Sequence, residues 1–162
     1  MRLKAKKNLI LDFDFTLCDS STRENTHTVN DELHLVNYLQ DTAEHDKGLP
    51  LLRYILRNKQ ALKYKYNIVV LTNRDFNHDC KSKIVHLVKT NFVCLHRGEW
   101  ERIFGNDFKS IILGHFCLNG NLVFIDDDPF YLAIAREQNA RAICARELWH
   151  YDSQDFTELF FG

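Results

Sequence analysis

A disulfide framework, a membrane span and a flexible linker are all missing from this sequence. Its five cysteines (Cys18, Cys80, Cys94, Cys117, Cys144) are odd in number and none stands in a C-x-x-C pair, which fits reduced thiols better than a stapled scaffold. Only two prolines and six glycines occur, with no low-complexity run and no internal repeat. Nothing therefore reads as a boundary, and residues 1–162 are expected to form one domain. No apolar run has the length of a transmembrane helix. The opening MRLKAKKNLIL imitates a signal peptide, but Asp12 and Asp14 cut its apolar run directly after Leu11. A soluble, cytoplasmic protein with no membrane partner is the expectation. The net charge of −1 and pI near 6.7 announce no general affinity for polyanions, without excluding a local basic patch.

What is present is a series of short apolar runs that end in acids or threonine. Residues 8–13 (NLILDF), 67–72 (NIVVLT) and 121–126 (NLVFID) read as buried strands, with 92–95 and 141–144 as weaker candidates. Between them lie helix-like stretches at 31–42, 51–64 (opened by Pro50), 77–89, 108–116 and 129–138. Continuously apolar strands alternating with helices predict an α/β fold, a Rossmann-like three-layer sandwich around a mainly parallel sheet. Such sheets bind ligands at the carboxyl ends of their strands.

Four pieces of sequence carry chemistry. They are Asp12-Phe13-Asp14-Phe15-Thr16 after the first strand, VVLTNRD with Thr72, Asn73 and Arg74, Lys109 in FKSIIL, and the acid run Asp126-Asp127-Asp128 in VFIDDDP. A carboxylate such as that of Asp12 can attack a phosphoryl group and hold it as an acyl phosphate, dividing one hard displacement into two easier ones. Phosphoryl oxygens would repel it, so a cation is needed; Mg²⁺, which takes hard oxygen ligands and keeps several waters, suits one or two carboxylates. Asp14 is placed to protonate the leaving oxygen and then to activate water. Thr72 offers a hydroxyl to the phosphate, Lys109 a concentrated positive charge, and Arg74 a fork that matches phosphate geometry. Phe13 and Asn73 join Arg74 in the expected phosphate- and substrate-binding set.

The order of these pieces resembles the haloacid dehalogenase superfamily, with its hhhhDxDxT, hhhhhT/S, lone Lys and hhhhDD motifs, over residues 8 to about 130. The resemblance implies a phosphatase with Mg²⁺ as cofactor. Asp12 and Asp126 would supply side-chain oxygens to the metal, Asp14 a backbone carbonyl, and Asp127 the rim of the shell. Two departures stand out. Phe15 replaces the family's usual glycine, and it either packs on a small cap or lines the entrance. About 55 residues separate the first motif from Thr72, so 19–50 leave room only for a small flap.

A site without a large cap suits a phosphorylated macromolecule, either a phosphoprotein such as one bearing phosphotyrosine or a nucleic acid end. The basic, aromatic-interleaved stretch 53–65 (RYILRNKQALKYK) could steer a polyanion or form a solvated amphipathic helix. The motif order also resembles the phosphatase half of polynucleotide kinase-phosphatases. The alternatives are a small-metabolite or nucleotide phosphatase and a non-catalytic phosphate-binding or signalling module. Cys94 and His96 could form half of a zinc site, but no second pair accompanies them, and packing is the plainer reading.

Overall fold

The computed structural model describes residues 5–21, 46–79 and 81–162. Five parallel strands make the central sheet: β1 (Lys7–Leu11), β4 (Tyr66–Thr72), β5 (Val93–His96), β6 (Leu122–Asp126) and β7 (Arg141–Cys144), in spatial order β5-β4-β1-β6-β7. A small antiparallel pair, β2 (Cys18–Asp19) and β3 (Lys47–Gly48), stands apart from it. The order reverses beside β1, which places the first acid motif at the centre of the ligand edge.

Side-chain alternation along β1 assigns the two faces. Leu9 and Leu11 belong to a core shared with α1 (Pro50–Arg57), α2 (Lys59–Lys65), α3 (Lys83–Asn91) and α7 (Ser153–Phe161). Ile10 belongs to the opposite core, with Phe108, Ile112 and Leu113 of α5 (Phe108–Leu118) and Leu132 of α6 (Pro129–Glu137). Both faces of the strand are covered, which is why its sequence is an unbroken apolar run. Removing one of these fully buried leucines, Leu9 for instance, would cost about 2–5 kcal/mol.

Several predicted elements are redrawn. The single helix expected over 51–64 is two, broken at Asn58, which leaves helical geometry (φ −113°, ψ 23°) while its side-chain amide donates to the Tyr54 carbonyl at 2.9 Å. The helix expected from residue 77 begins at Lys83. Asp75 turns 76–78 into a 3₁₀ turn by accepting from the Asn77 N–H, and Ser82 caps α3 by accepting from the Val85 N–H. Helix α4 (Arg97–Phe104) had no sequence signal because it buries none of its residues. Helix α7 starts with a reciprocal capping box between Asp152 and Asp155 and buries Phe156 and Phe160 against Tyr54 and Tyr66. The helix expected at 31–42 and most of the 19–50 flap lie outside the described residues. Among the described residues, no helix is long and apolar enough to cross a membrane.

Candidate active site

Four strand ends and two helix starts converge on a cleft of about 520 Å³ at the carboxyl edge of the sheet. Asp12 follows Leu11 directly and shares the parity of Ile10, so it emerges on the α5 face; its N–H donates to the Ile125 carbonyl at 2.9 Å. Lys109, second residue of α5, meets it there. The Lys109 Nζ lies 2.9 Å from Asp12 Oδ1 and 2.8 Å from Asp126 Oδ2, with the ammonium only 4.3 Å from the Tyr131 ring centroid. Lys109 is 2% exposed and Asp126 is wholly buried. A charge buried this deeply is tolerated because it is paired and hydrogen-bonded.

Asp127 joins Asp12 and Asp126 to form a trio in which one carboxylate oxygen from each lies within 4.8 Å of the others. Asp126 Oδ1 accepts from the Asp128 N–H at 2.9 Å, which fixes its orientation. Asp128 itself accepts from the Phe130 N–H and caps α6 ahead of Pro129, so it serves the helix. Burial pushes the Asp12 carboxyl up to about 7, with Asp126 and Asp14 adding repulsion and Lys109 pulling the other way. Burial raises Asp126 and takes Asp127 up to about 6. Lys109 is held above its ordinary value: burial works against its charge, but Asp12 and Asp126 outweigh it. Three carboxylates against one buried ammonium and the exposed Arg146 guanidinium, 3.6 Å from Asp127, remain short of positive charge. Hard oxygens converging in this way fit a hard divalent cation.

Asp14 shares Asp12's parity, but the strand has ended and a tight turn redirects it. The Phe13 carbonyl accepts from the N–H groups of Leu17 (2.9 Å) and Cys18 (3.0 Å), and Phe15 takes a left-handed φ of 60°. Asp14 lines the cleft while its Oδ1 accepts from the Arg74 guanidinium and the Ser20 hydroxyl. Thr72, at the end of β4, also faces the cleft. Its Oγ1 accepts from the Arg74 N–H at 3.0 Å, which leaves the hydroxyl proton to donate elsewhere. Asn73 reaches the cleft too, and its amide donates to the Tyr131 hydroxyl at 2.8 Å.

Arg74 and Phe13 are placed differently from the rest of the expected set, since neither side chain lines the cleft. The Arg74 guanidinium is buried, donates to Asp46 at 2.8 Å and to the Ser20 hydroxyl at 2.8 Å, and lies 3.5 Å from Asp79. Its fork sits 4.7 Å from the Phe13 ring centroid. It acts inside the fold, on Asp14. The basic stretch 53–65 is likewise away from the cleft. Lys65 precedes β4 at the amino end of the sheet, and its Nζ donates to the Phe160 carbonyl, while Lys59 donates to Asn91. Cys94 and His96 hold no metal arrangement among the described residues; the His96 Nδ1 accepts from the Phe76 and Gly98 N–H groups, while Cys94 donates to backbone carbonyls.

The cleft also contains Phe15, expected either to pack on a small cap or to line the entrance, and residues that no motif marked. Tyr131 walls one side over Lys109, and Arg146 and Phe15 form the opposite lip with Trp149 behind them. The only sequence signal for Arg146 was its place just after a strand end.

No family model and no curated protein matches the sequence. Solved structures do. A haloacid dehalogenase-like family hydrolase from Streptococcus pneumoniae aligns at 13% identity and a TM-score of 0.57, over 86% of this chain and 84% of that one. A hydrolase from Pseudomonas syringae aligns at 14% identity and 0.53, over 94% and 90%. A magnesium complex of a haloacid dehalogenase family enzyme from Bacteroides thetaiotaomicron aligns at 13% identity and 0.50, over 98% and 100%. Similarity this distant is similarity of architecture, and the architecture of this chain is the haloacid dehalogenase-like α/β fold.

Proposed function

We propose that this protein is a magnesium-dependent phosphomonoester hydrolase that works through a phosphoaspartate on Asp12. The observation that carries the reading is the convergence of Asp12, Asp126 and Asp127 within 4.8 Å of one another, with Lys109 buried against the first two. The similar folds include hydrolases and one enzyme solved as a magnesium complex, which supports the same reading.

Asp12, Asp126 and Asp127 would hold the ion. Once bound, it would neutralise the phosphoryl oxygens and relieve repulsion among the three acids. The chain's own residues carry the rest. Lys109 fixes Asp12 Oδ1 and orients the carboxylate for in-line attack. The bond from Asp12 oxygen to phosphorus forms as the ester oxygen leaves, taking a proton from Asp14. Asp14 then accepts a proton from water, which attacks phosphorus and releases phosphate with Asp12 restored. Arg74 and Ser20 hold Asp14 Oδ1, so Oδ2 is left to carry the proton. Thr72 donates its hydroxyl proton to a phosphoryl oxygen.

The test is phosphate release from phenyl phosphate with Mg²⁺ and with EDTA, in wild type and Asp12→Asn. Release that persists in the variant, or a fluoride-metal phosphate mimic bonded to any residue except Asp12, would sink the reading.

A further inference from the structure

Phe15 occupies a backbone conformation that costs a bulky residue energy, and it does so at the mouth of the cleft. Glycine would adopt a φ of 60° freely, so the ring is retained against a local penalty. The surroundings hold it there. Trp149 Nε1 donates to the Phe15 carbonyl at 2.9 Å, and the two rings lie 6.4 Å apart at 33°. The Arg146 guanidinium sits 5.6 Å from the Phe15 centroid and 5.1 Å from that of Trp149, and 3.6 Å from Asp127. Its side chain is nonetheless 56% exposed, so this fork is stacked and positioned without being sealed.

Position along the reaction coordinate gives the lip its meaning. In-line attack by Asp12 puts the leaving oxygen on the far side of phosphorus, toward Asp14. Phe15 follows Asp14 directly and lines the same cleft, so its ring is an apolar surface beside the group that serves the ester oxygen. An aromatic edge backed by an exposed, stacked guanidinium favours a flat π-system over a flexible alkyl or sugar chain.

We infer that Phe15, Trp149 and Arg146 form a leaving-group subsite for a planar aromatic ring carried directly on the ester oxygen, which makes aryl phosphates the preferred substrate class. The inference rests on the hydrolase reading above. It assigns to Phe15 and Arg146 a part in specificity and none in bond making.

The experiment measures kcat/KM with Mg²⁺ for phenyl phosphate, ethyl phosphate and adenosine 5′-monophosphate in wild type, Phe15→Ala and Arg146→Gln. The phenyl-to-ethyl ratio is expected to fall about tenfold in each variant. A ratio avoids the shared effect that losing Arg146 beside Asp127 has on metal binding. An unchanged ratio in both variants overturns the proposal. So does a loss confined to the nucleotide, which would place the recognised ring further from phosphorus. Phe15→Ala can fail to fold, whereas Arg146→Gln alters an exposed side chain and keeps the test open. If no ester is hydrolysed, the hydrolase reading fails alone. The subsite is then decided by the relative affinity of phenylphosphonate and ethylphosphonate, read by tryptophan fluorescence, which should lose the same tenfold preference in Arg146→Gln.

Discussion

Lys109 and Arg74 are both buried cations ringed by aspartates, and the difference between them lies in how far each ring is already committed. Lys109 touches Asp12 and Asp126 as a point charge, and the oxygens of Asp12, Asp126 and Asp127 still converge on a common centre. Arg74 spends a rigid planar fork on Asp14, Asp46 and Ser20, approaches Asp79, and stacks over Phe13. An ammonium leaves neighbouring carboxylates able to turn toward a further ligand, whereas a guanidinium locks them in place. One cluster is arranged for reaction and the other for position. Asp14, at the cleft but gripped by Arg74, belongs to both.

The largest expected effect lies in the lysine cluster. Asp12→Asn removes the nucleophile, and Mg²⁺-dependent phosphate release should drop to background with the fold intact by circular dichroism. Retained turnover would erase the distinction between the clusters. Asp14→Asn, at the junction, should slow turnover by about 10²–10⁴-fold, with a phosphoenzyme still detectable after an acid quench. Full loss of the phosphoenzyme in that variant would move Asp14 from proton transfer into the attacking step.

The arginine cluster should respond in stability first. Arg74→Ala removes the cation from among buried carboxylates and should cost about 3–5 kcal/mol in urea denaturation. Arg74→Lys keeps the charge without the fork and should recover only part of that loss. Full wild-type stability in Arg74→Lys would mean that charge alone, without planar geometry, holds the cluster. Activity should fall in both because Asp14 loses its anchor.

Much of this contrast was readable from sequence on one side only. Asp12, Thr72 and Asp126 end unbroken apolar runs, and such runs arise where parallel strands are covered on both faces, so the convergence of these residues followed from the periodicity. Lys109 was singled out by the resemblance, as the lone lysine that precedes the last acid run. The Arg74 cluster was not legible, because Asp46 lies 28 residues away and nothing in local sequence links the two. Arg74 was expected to face substrate on the strength of its chemistry, and only packing turns it inward. The cleft wall had the same problem in part: Tyr131 and Arg146 come from separate segments that no motif marks, whereas Phe15 was already a candidate for the entrance. Helix α4 escaped because Trp100 alone packs its apolar side chain on the core and leaves no period to read, and the helix pair at Asn58 looked continuous because a single residue leaves helical geometry there.

The smallest predicted effect separates the clusters by pH. Without divalent cation, Asp12 in the fold titrates near 7 and Asp127 near 6, both above the ordinary value of 3.8. Between about pH 4 and 7 these two groups therefore bind more protons in the folded state than in the unfolded chain, and their contribution to stability falls as pH rises through that window. Mg²⁺ binds only the deprotonated carboxylates, so saturating it should flatten or reverse the slope while raising stability, by about 2.7 kcal/mol at a hundredfold excess over Kd. Arg74 also has a raised value, with its three aspartates overcoming burial, but it stays charged across this whole range. Its contribution is constant there. Asp12→Asn should thus flatten the metal-free curve of unfolding free energy against pH, while Arg74→Lys should shift the curve downward without changing its slope. A slope that survives Asp12→Asn, or one that changes in Arg74→Lys, would show that the proton linkage does not belong to the lysine cluster.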